Sequence, residues 1–212
     1  MPFLSHKAEM KKEVAALRDK LESFGVSSFV AHMDIRPTKP WQDEIESALA
    51  SMDGFAALLT DKFHESDWTD QEVGFALARG VPLVAVRMGR DPYGFMGKFQ
   101  ALTAKWDTCP AELVKLLIKH DRMFSSYVRA IRKVASWATG NELGKVLVAI
   151  EDLNQSQIDS LVAAYNETNE LRSCWAFNGQ YEYVHGTGLP GLLRRLGVRN
   201  AHLVSVGEMD LS

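Results

Sequence analysis

The first half of the chain alternates short apolar runs with segments whose apolar residues recur every three or four positions. Phe3-Leu4-Ser5 is of strand length. Met10, Val14, Leu17, Leu21 and Phe24 then line one face of an amphipathic helix, with Gly25 just past its last apolar position. Ser28-Phe29-Val30-Ala31 reads as a second strand, and Pro37 and Pro40 punctuate the loop that follows. A helix opens near Pro40, with Asp43 and Glu44 in its first turn and Ile45, Leu49 and Met52 on its buried side. Residues 54–60 form an apolar run of strand length. Ser66 or Asp67 is placed to cap a helix over 68–79, closed by Gly80. Residues 81–86 read as a buried strand, 89–97 as turns, and 104–106 as a last short strand; Pro110 opens a helix expected to bury Leu113, Leu116 and Leu117.

Strands that alternate with helices at this spacing, and that are apolar throughout, belong to a parallel sheet covered on both faces. The expected class is α/β, a flavodoxin-like parallel sheet of about five strands with flanking helices. Ligands of such sheets bind beyond the carboxyl ends of the strands, which directs attention to Ser5, the segment 32–41 and the segment 61–72. From about residue 120 the pattern turns mostly helical. Phe124, Val128, Ile131, Val134 and Ala135 mark one helix. Asn154 followed by Gln157 is a capping box for another, whose apolar face is Ile158, Leu161, Val162 and Tyr165. Residues 173–177 suit a strand and 189–196 a short helix ended by Gly197. The expected division is 1–118 for the α/β domain and 119–212 for a mostly helical carboxy-terminal extension, with a role in assembly or sensing.

Composition narrows the function. A net charge of −3, from 24 basic and 27 acidic residues, lacks the basic excess of a nucleic-acid binder. Arg122, Arg129, Arg132 and Lys133 are most simply a solvated helix face. Cys109 and Cys174 stand apart from each other and from histidines, so neither a zinc site nor any other metal is expected, and two lone thiols suit a reducing compartment. The opening Met-Pro-Phe-Leu-Ser-His-Lys lacks the pattern of a signal peptide, and no apolar run reaches membrane-spanning length. A cytoplasmic protein with no membrane partner is expected. There is no GxGxxG and no GxxxxGK[ST], which disfavours dinucleotide-dependent oxidoreductases and P-loop NTPases.

Several segments, in order, carry a resemblance. Phe3-Leu4-Ser5-His6, then Phe29-Val30-Ala31-His32-Met33-Asp34-Ile35 with Pro37 and Trp41, then Ser66-Asp67-Trp68-Thr69-Asp70-Gln71-Glu72-Val73-Gly74, and finally Asp91-Pro92-Tyr93-Gly94-Phe95 with Gly97-Lys98-Phe99-Gln100-Ala101-Leu102, resemble the motifs of bacterial TIR (Toll/interleukin-1 receptor) domains. The similarity covers residues 1–118 and extends to TIR proteins of Thoeris-like antiphage defence. The segment after Ser5 is shorter than in many members. The resemblance implies NAD glycohydrolase or ADP-ribosyl cyclase activity, with NAD as substrate, no further cofactor and a nucleotide product that activates a separate effector. It assigns Glu72 as the catalytic carboxylate and Trp68, Ser5, His6, His32 and Trp41 to the substrate site. It also implies self-association through the loop 32–41, the BB loop of the family, whose Met33, Ile35, Pro37 and Trp41 form an apolar set.

The chemistry is coherent with the residues. Trp68 and Glu72 are four apart and share a helix face. A carboxylate stabilises an oxocarbenium-like transition state, and nicotinamide leaves NAD as a neutral molecule, so no acid partner is required. The alternatives for single residues are plain ones. An isolated helical Glu near the surface is solvated, Trp68 and Trp41 can serve packing, Ser5 or Ser66 can cap a helix, and His6 and His32 can hold loops. The alternative function is a non-catalytic TIR scaffold that self-associates or recruits another TIR protein. A phosphoacceptor receiver is disfavoured because no acidic cluster follows the first strand.

Overall fold

The computed structural model describes residues 1–31, 41–180, 186–198, 201–204 and 207–211. The chain divides into two compact units: Met1–Glu22 with Val26–Leu117, and Ser23–Gly25 with Ile118–Ser212.

The first unit is built on a parallel sheet in the order β1 (Pro2–Ser5), β2 (Gly54–Leu59), β3 (Leu83–Arg87), β4 (Leu102–Thr103). Every residue of β1 and β2 is buried, as both faces of a covered sheet require. The fifth strand expected at residues 28–31 is reduced to an isolated parallel bridge of Phe29 with Phe3. Its two hydrogen bonds run from the Leu4 N–H to the Phe29 carbonyl, 3.0 Å, and from the Phe29 N–H to the Pro2 carbonyl, 2.9 Å. Chain order across the sheet is therefore Phe29, β1, β2, β3, β4, the doubly wound order, with the switch in direction between β1 and β2. Register brings Phe29, Phe3 and Phe55 side by side, and their rings stack at 5.1 and 5.7 Å.

Helix α1 (Lys11–Ser23) buries Val14, Leu17 and Leu21, and α2 (Trp41–Ser51) buries Ile45, Ala48 and Leu49. Helix α3 (Thr69–Arg79) ends at Gly80, whose φ of 64° closes it through a bond to the Leu77 carbonyl. The last strand falls two residues before the expected 104–106, and pairs only Val86 with Leu102 and Arg87 with Thr103. Helix α4 (Cys109–Leu117) buries Leu113, Val114 and Leu117, while Leu116, expected inside, is 38% exposed.

The second unit is mostly helical: α5 (Asp121–Ile131), α6 (Trp137–Gly144), α7 (Gln155–Glu167), α8 (Asn169–Arg172), α9 (Trp175–Asn178) and α10 (Gly188–Arg195), with a small antiparallel pair, β5 (His202–Leu203) and β6 (Met209–Asp210). The strand expected at 173–177 is instead the helical turn α9. The Asn141 side chain accepts the Ala176 N–H at 2.9 Å, capping that turn, and Gly144 leaves room for it, since a Cβ there would lie 2.6 Å from that of Ala176. No helix among the described residues is long and apolar enough to cross a membrane.

Candidate active site

The site lies at the carboxyl end of β1, next to the switch in sheet direction. Ser5, the last residue of β1, pairs in register with Ala57 and is fully buried. Its hydroxyl donates to Oε2 of Glu72 across 2.5 Å. Glu72 stands in the first turn and a half of α3, where its N–H bonds the Trp68 carbonyl at 2.9 Å. The sequence reading placed this helix position near the surface; Glu72 is in fact 5% exposed. Thr69, Glu72, Val73 and Ala76 form the buried stripe of α3, so the carboxyl group sits where an apolar residue would ordinarily be. Burial pushes its pKa up from 4.5 to about 7, and the hydrogen bond from Ser5 opposes part of that rise.

The start of α3 is fixed in an unusual way. Trp68 occupies the cap position with helical dihedrals, and no side chain caps the helix, contrary to the capping role expected of Ser66 or Asp67. Ser66 instead accepts the N–H of Trp68 at 3.4 Å, and the buried Thr69 hydroxyl donates to the Phe63 carbonyl at 2.8 Å. Tyr93, from the turns after β3, donates its phenol to Asp70 at 2.5 Å, and Arg90 lies over the Tyr93 ring at 4.7 Å. These bonds hold the first turn of α3 from both sides.

A cleft of about 380 Å³ opens beside Glu72, lined by Ile45 and Leu49 of α2, by the cap residue Trp68, and by Gln71, Glu72 and Phe75 of α3. The Trp41 ring meets that of Trp68 edge to face, 4.7 Å between centroids, and is itself 45% exposed. Ser5, Glu72, Trp68 and Trp41 are thus brought to one corner of the sheet. His6 is half-buried and donates from Nδ1 to the Leu4 carbonyl at 2.9 Å, a loop-holding bond that fixes its tautomer. His32 and the rest of the loop up to residue 40 lie outside the described residues. Phe75 and Leu49 escaped the sequence reading of the site. Phe75 follows Glu72 by one helical turn and Trp68 by two, and that spacing was the available signal.

Among the described residues no three His, Cys, Asp or Glu side chains are grouped to hold a metal ion. What the arrangement supplies is one poised carboxyl group, a hydroxyl that orients it, and aromatic walls.

No curated protein matches the chain. The crystal structure of the TIR domain of the Toll-related receptor TRR-2 from Hydra magnipapillata is similar at 17% identity, covering 52% of this chain and 89% of that one, with a TM-score of 0.45. The family model of the TIR domain matches residues 3–117, which take in the sheet except for Pro2 at the start of β1, and every described residue of the site. The chain belongs to the TIR domain family.

Proposed function

We propose that this protein cleaves the bond between nicotinamide and ribose in NAD, with Glu72 as the carboxylate that stabilises the developing cation. The observation that carries the reading is the placement of Glu72: it is buried against Ser5, yet it lines a cleft walled by Trp68 and Phe75. A scaffold has no use for an acid in a buried helical stripe, where its ionised form is costly. An enzyme that forms an oxocarbenium-like state does, because a desolvated carboxylate attracts that charge far more strongly than a solvated one.

The residues divide the work. Ionised Glu72 faces the ribose, holding its hydroxyls in the ground state and the anomeric charge as the bond breaks. The donated hydrogen of Ser5 fixes the carboxylate rotamer and favours its charged form. Trp68 gives a flat surface to the nicotinamide ring, which departs neutral with the bonding electron pair. Attack by water on the anomeric carbon yields ADP-ribose; attack by a group of the same molecule yields a cyclic product. On this reading the product serves as a signal to a separate effector, which the resemblance of the motifs to those of antiphage TIR proteins supports. Copies of the chain associate through the segment 32–41 on this reading, and the 45% exposure of Trp41 at its end supports it.

The test is direct. Purified full-length protein incubated with NAD releases nicotinamide, read by chromatography over a range of protein concentrations. Absence of release at every concentration assigns the chain to the scaffold class.

A further inference from the structure

The sheet carries a second crevice beyond the carboxyl ends of its strands. It lies over β3 and β4, bounded by Arg87, Met88 and Gly89 on one side and by Thr103, Lys105 and Trp106 on the other, with a volume of about 660 Å³. It shares no lining residue with the cleft at Glu72. β3 is two places from β1 in the strand order, roughly 10 Å at the usual strand spacing.

We propose that this crevice binds a nucleoside monophosphate, with the base on the indole of Trp106 and the phosphate on Lys105 and Arg87. Three features support that ligand. The first is the wall. Trp106 is half-buried, and its indole N–H has no hydrogen-bond partner among the described residues. A flat, partly exposed ring of this kind is a stacking surface for a base of any sequence. Met88, also half-buried, adds a second apolar surface.

The second feature is charge. The Lys105 ammonium makes no ion pair with another described residue and is exposed at the mouth of the crevice. Arg87 is held in place from two directions: it donates to the Thr103 hydroxyl at 3.4 Å and pairs with Asp91 at 2.5 Å. A guanidinium has five N–H donors, so those two contacts leave others for a phosphate. Asp107, the one carboxylate among the described lining residues, accepts the N–H of Thr108 at 3.0 Å. Among the described lining residues, Lys105 and Arg87 set two positive charges against the single negative charge of Asp107.

The third feature is size and place. Pockets for small ligands run from about 300 to 1,000 Å³, and open parallel sheets bind ligands at this edge. An indole and two cations in one lining match a flat base joined through a sugar to a phosphate better than they match a bare anion.

The experiment is calorimetric titration of the full chain with AMP. One molecule binds per chain, and Lys105→Glu, a substitution of an exposed side chain, weakens binding by about tenfold or more. Adenosine and inorganic phosphate each bind more weakly than AMP, and Trp68→Ala leaves AMP affinity unchanged. Four results overturn the proposal: no heat of binding at millimolar AMP; inorganic phosphate competing as well as AMP; affinity lost with Trp68→Ala but kept with Lys105→Glu, which puts AMP in the Glu72 cleft; or Lys105→Glu changing the sedimentation of the protein without changing AMP affinity, which makes the crevice a contact between copies.

Discussion

Helices α3 and α7 begin in opposite ways. At the start of α7, Asn154 accepts the Gln157 N–H at 3.0 Å and the Gln157 side chain accepts the Asn154 N–H at 2.9 Å, a complete capping box. Its buried face is Ile158, Leu161, Val162, Ala164 and Tyr165. Every local preference agrees with the fold. At the start of α3 no side chain caps the helix, a tryptophan takes the cap position, and the buried face includes Thr69 and Glu72. Proteins that break local rules in this manner do so where a site demands it. The contrast singles out α3 without reference to a motif: α7 follows the local rules of a stable helix, and α3 holds one carboxyl group out of water.

The sharpest way to break this contrast is to neutralise each helix at its distinctive residue and compare activity. Glu72→Gln keeps the shape and still accepts the Ser5 hydrogen bond, but cannot carry negative charge. We expect NAD cleavage to fall by about a thousandfold, the scale seen when one electrostatic contact to a developing charge is removed. Nicotinamide release under saturating NAD measures it. A Glu72→Gln protein that turns over at the wild-type rate would falsify the assignment.

The second prediction concerns stability and its sign. The folded pKa of Glu72, about 7, lies above the ordinary 4.5, so the folded state holds this proton more tightly than the unfolded chain does. The stabilisation is complete below about pH 4.5 and disappears as pH rises through about 7. Ionising the group in place removes up to ~3 kcal/mol by pH 8. Glu72→Gln has no such loss. Scanning calorimetry at pH 5 and pH 8 should show the variant gaining on the wild type between the two. Parallel pH dependence in both proteins would mean that Glu72 is solvated and the contrast between the helices is empty.

Much of this was legible in the sequence, and the failures have physical reasons. The apolar runs at β1, β2 and β3 announced a parallel sheet because they are short, alternate with helical segments, and suit strands covered on both faces. The capping box of α7 was readable because both partners are local. The burial of Glu72 was missed although its signal was present: positions 69, 72, 73 and 76 follow the spacing of a buried helical stripe, and the acid sits inside it. The Ser5 contact joins residues 67 positions apart, which no local rule anticipates. Leu116 was misassigned because the stripe of α4 runs through Leu113, Val114 and Leu117, and Leu116 lies just beyond its edge. The short β4 was misplaced because a two-residue edge strand is defined by its partner Val86–Arg87 and not by its own pattern.

Ser5 offers a finer adjustment. Removing its hydroxyl leaves the carboxylate of Glu72 without the one hydrogen bond that lowers its pKa. Ser5→Ala should therefore move the rising limb of the pH–rate profile to higher pH. At neutral pH the rate should fall about tenfold, the worth of one hydrogen bond to a charged group, and recover partly in alkaline buffer. A uniform loss at all pH values would mean that Ser5 contacts substrate directly; no loss would mean that packing alone orients Glu72.

The smallest effect belongs to α7 and completes the comparison. Asn154→Ala removes the acceptor for the Gln157 N–H and, with it, half of the capping box. The expected cost is about 1 kcal/mol, read from the urea midpoint with the slope unchanged. NAD cleavage should stay within about twofold of wild type, because a cap acts on the stability of its own helix and leaves the atoms at Glu72 where they were. The pair Asn154→Ala and Glu72→Gln then forms a crossed experiment: one lowers stability and spares activity, the other removes activity and raises stability at alkaline pH. Should Asn154→Ala instead depress NAD cleavage as strongly as Ser5→Ala while its helix stays folded, the second unit shapes the active site, and the division of labour between the two helices is wrong.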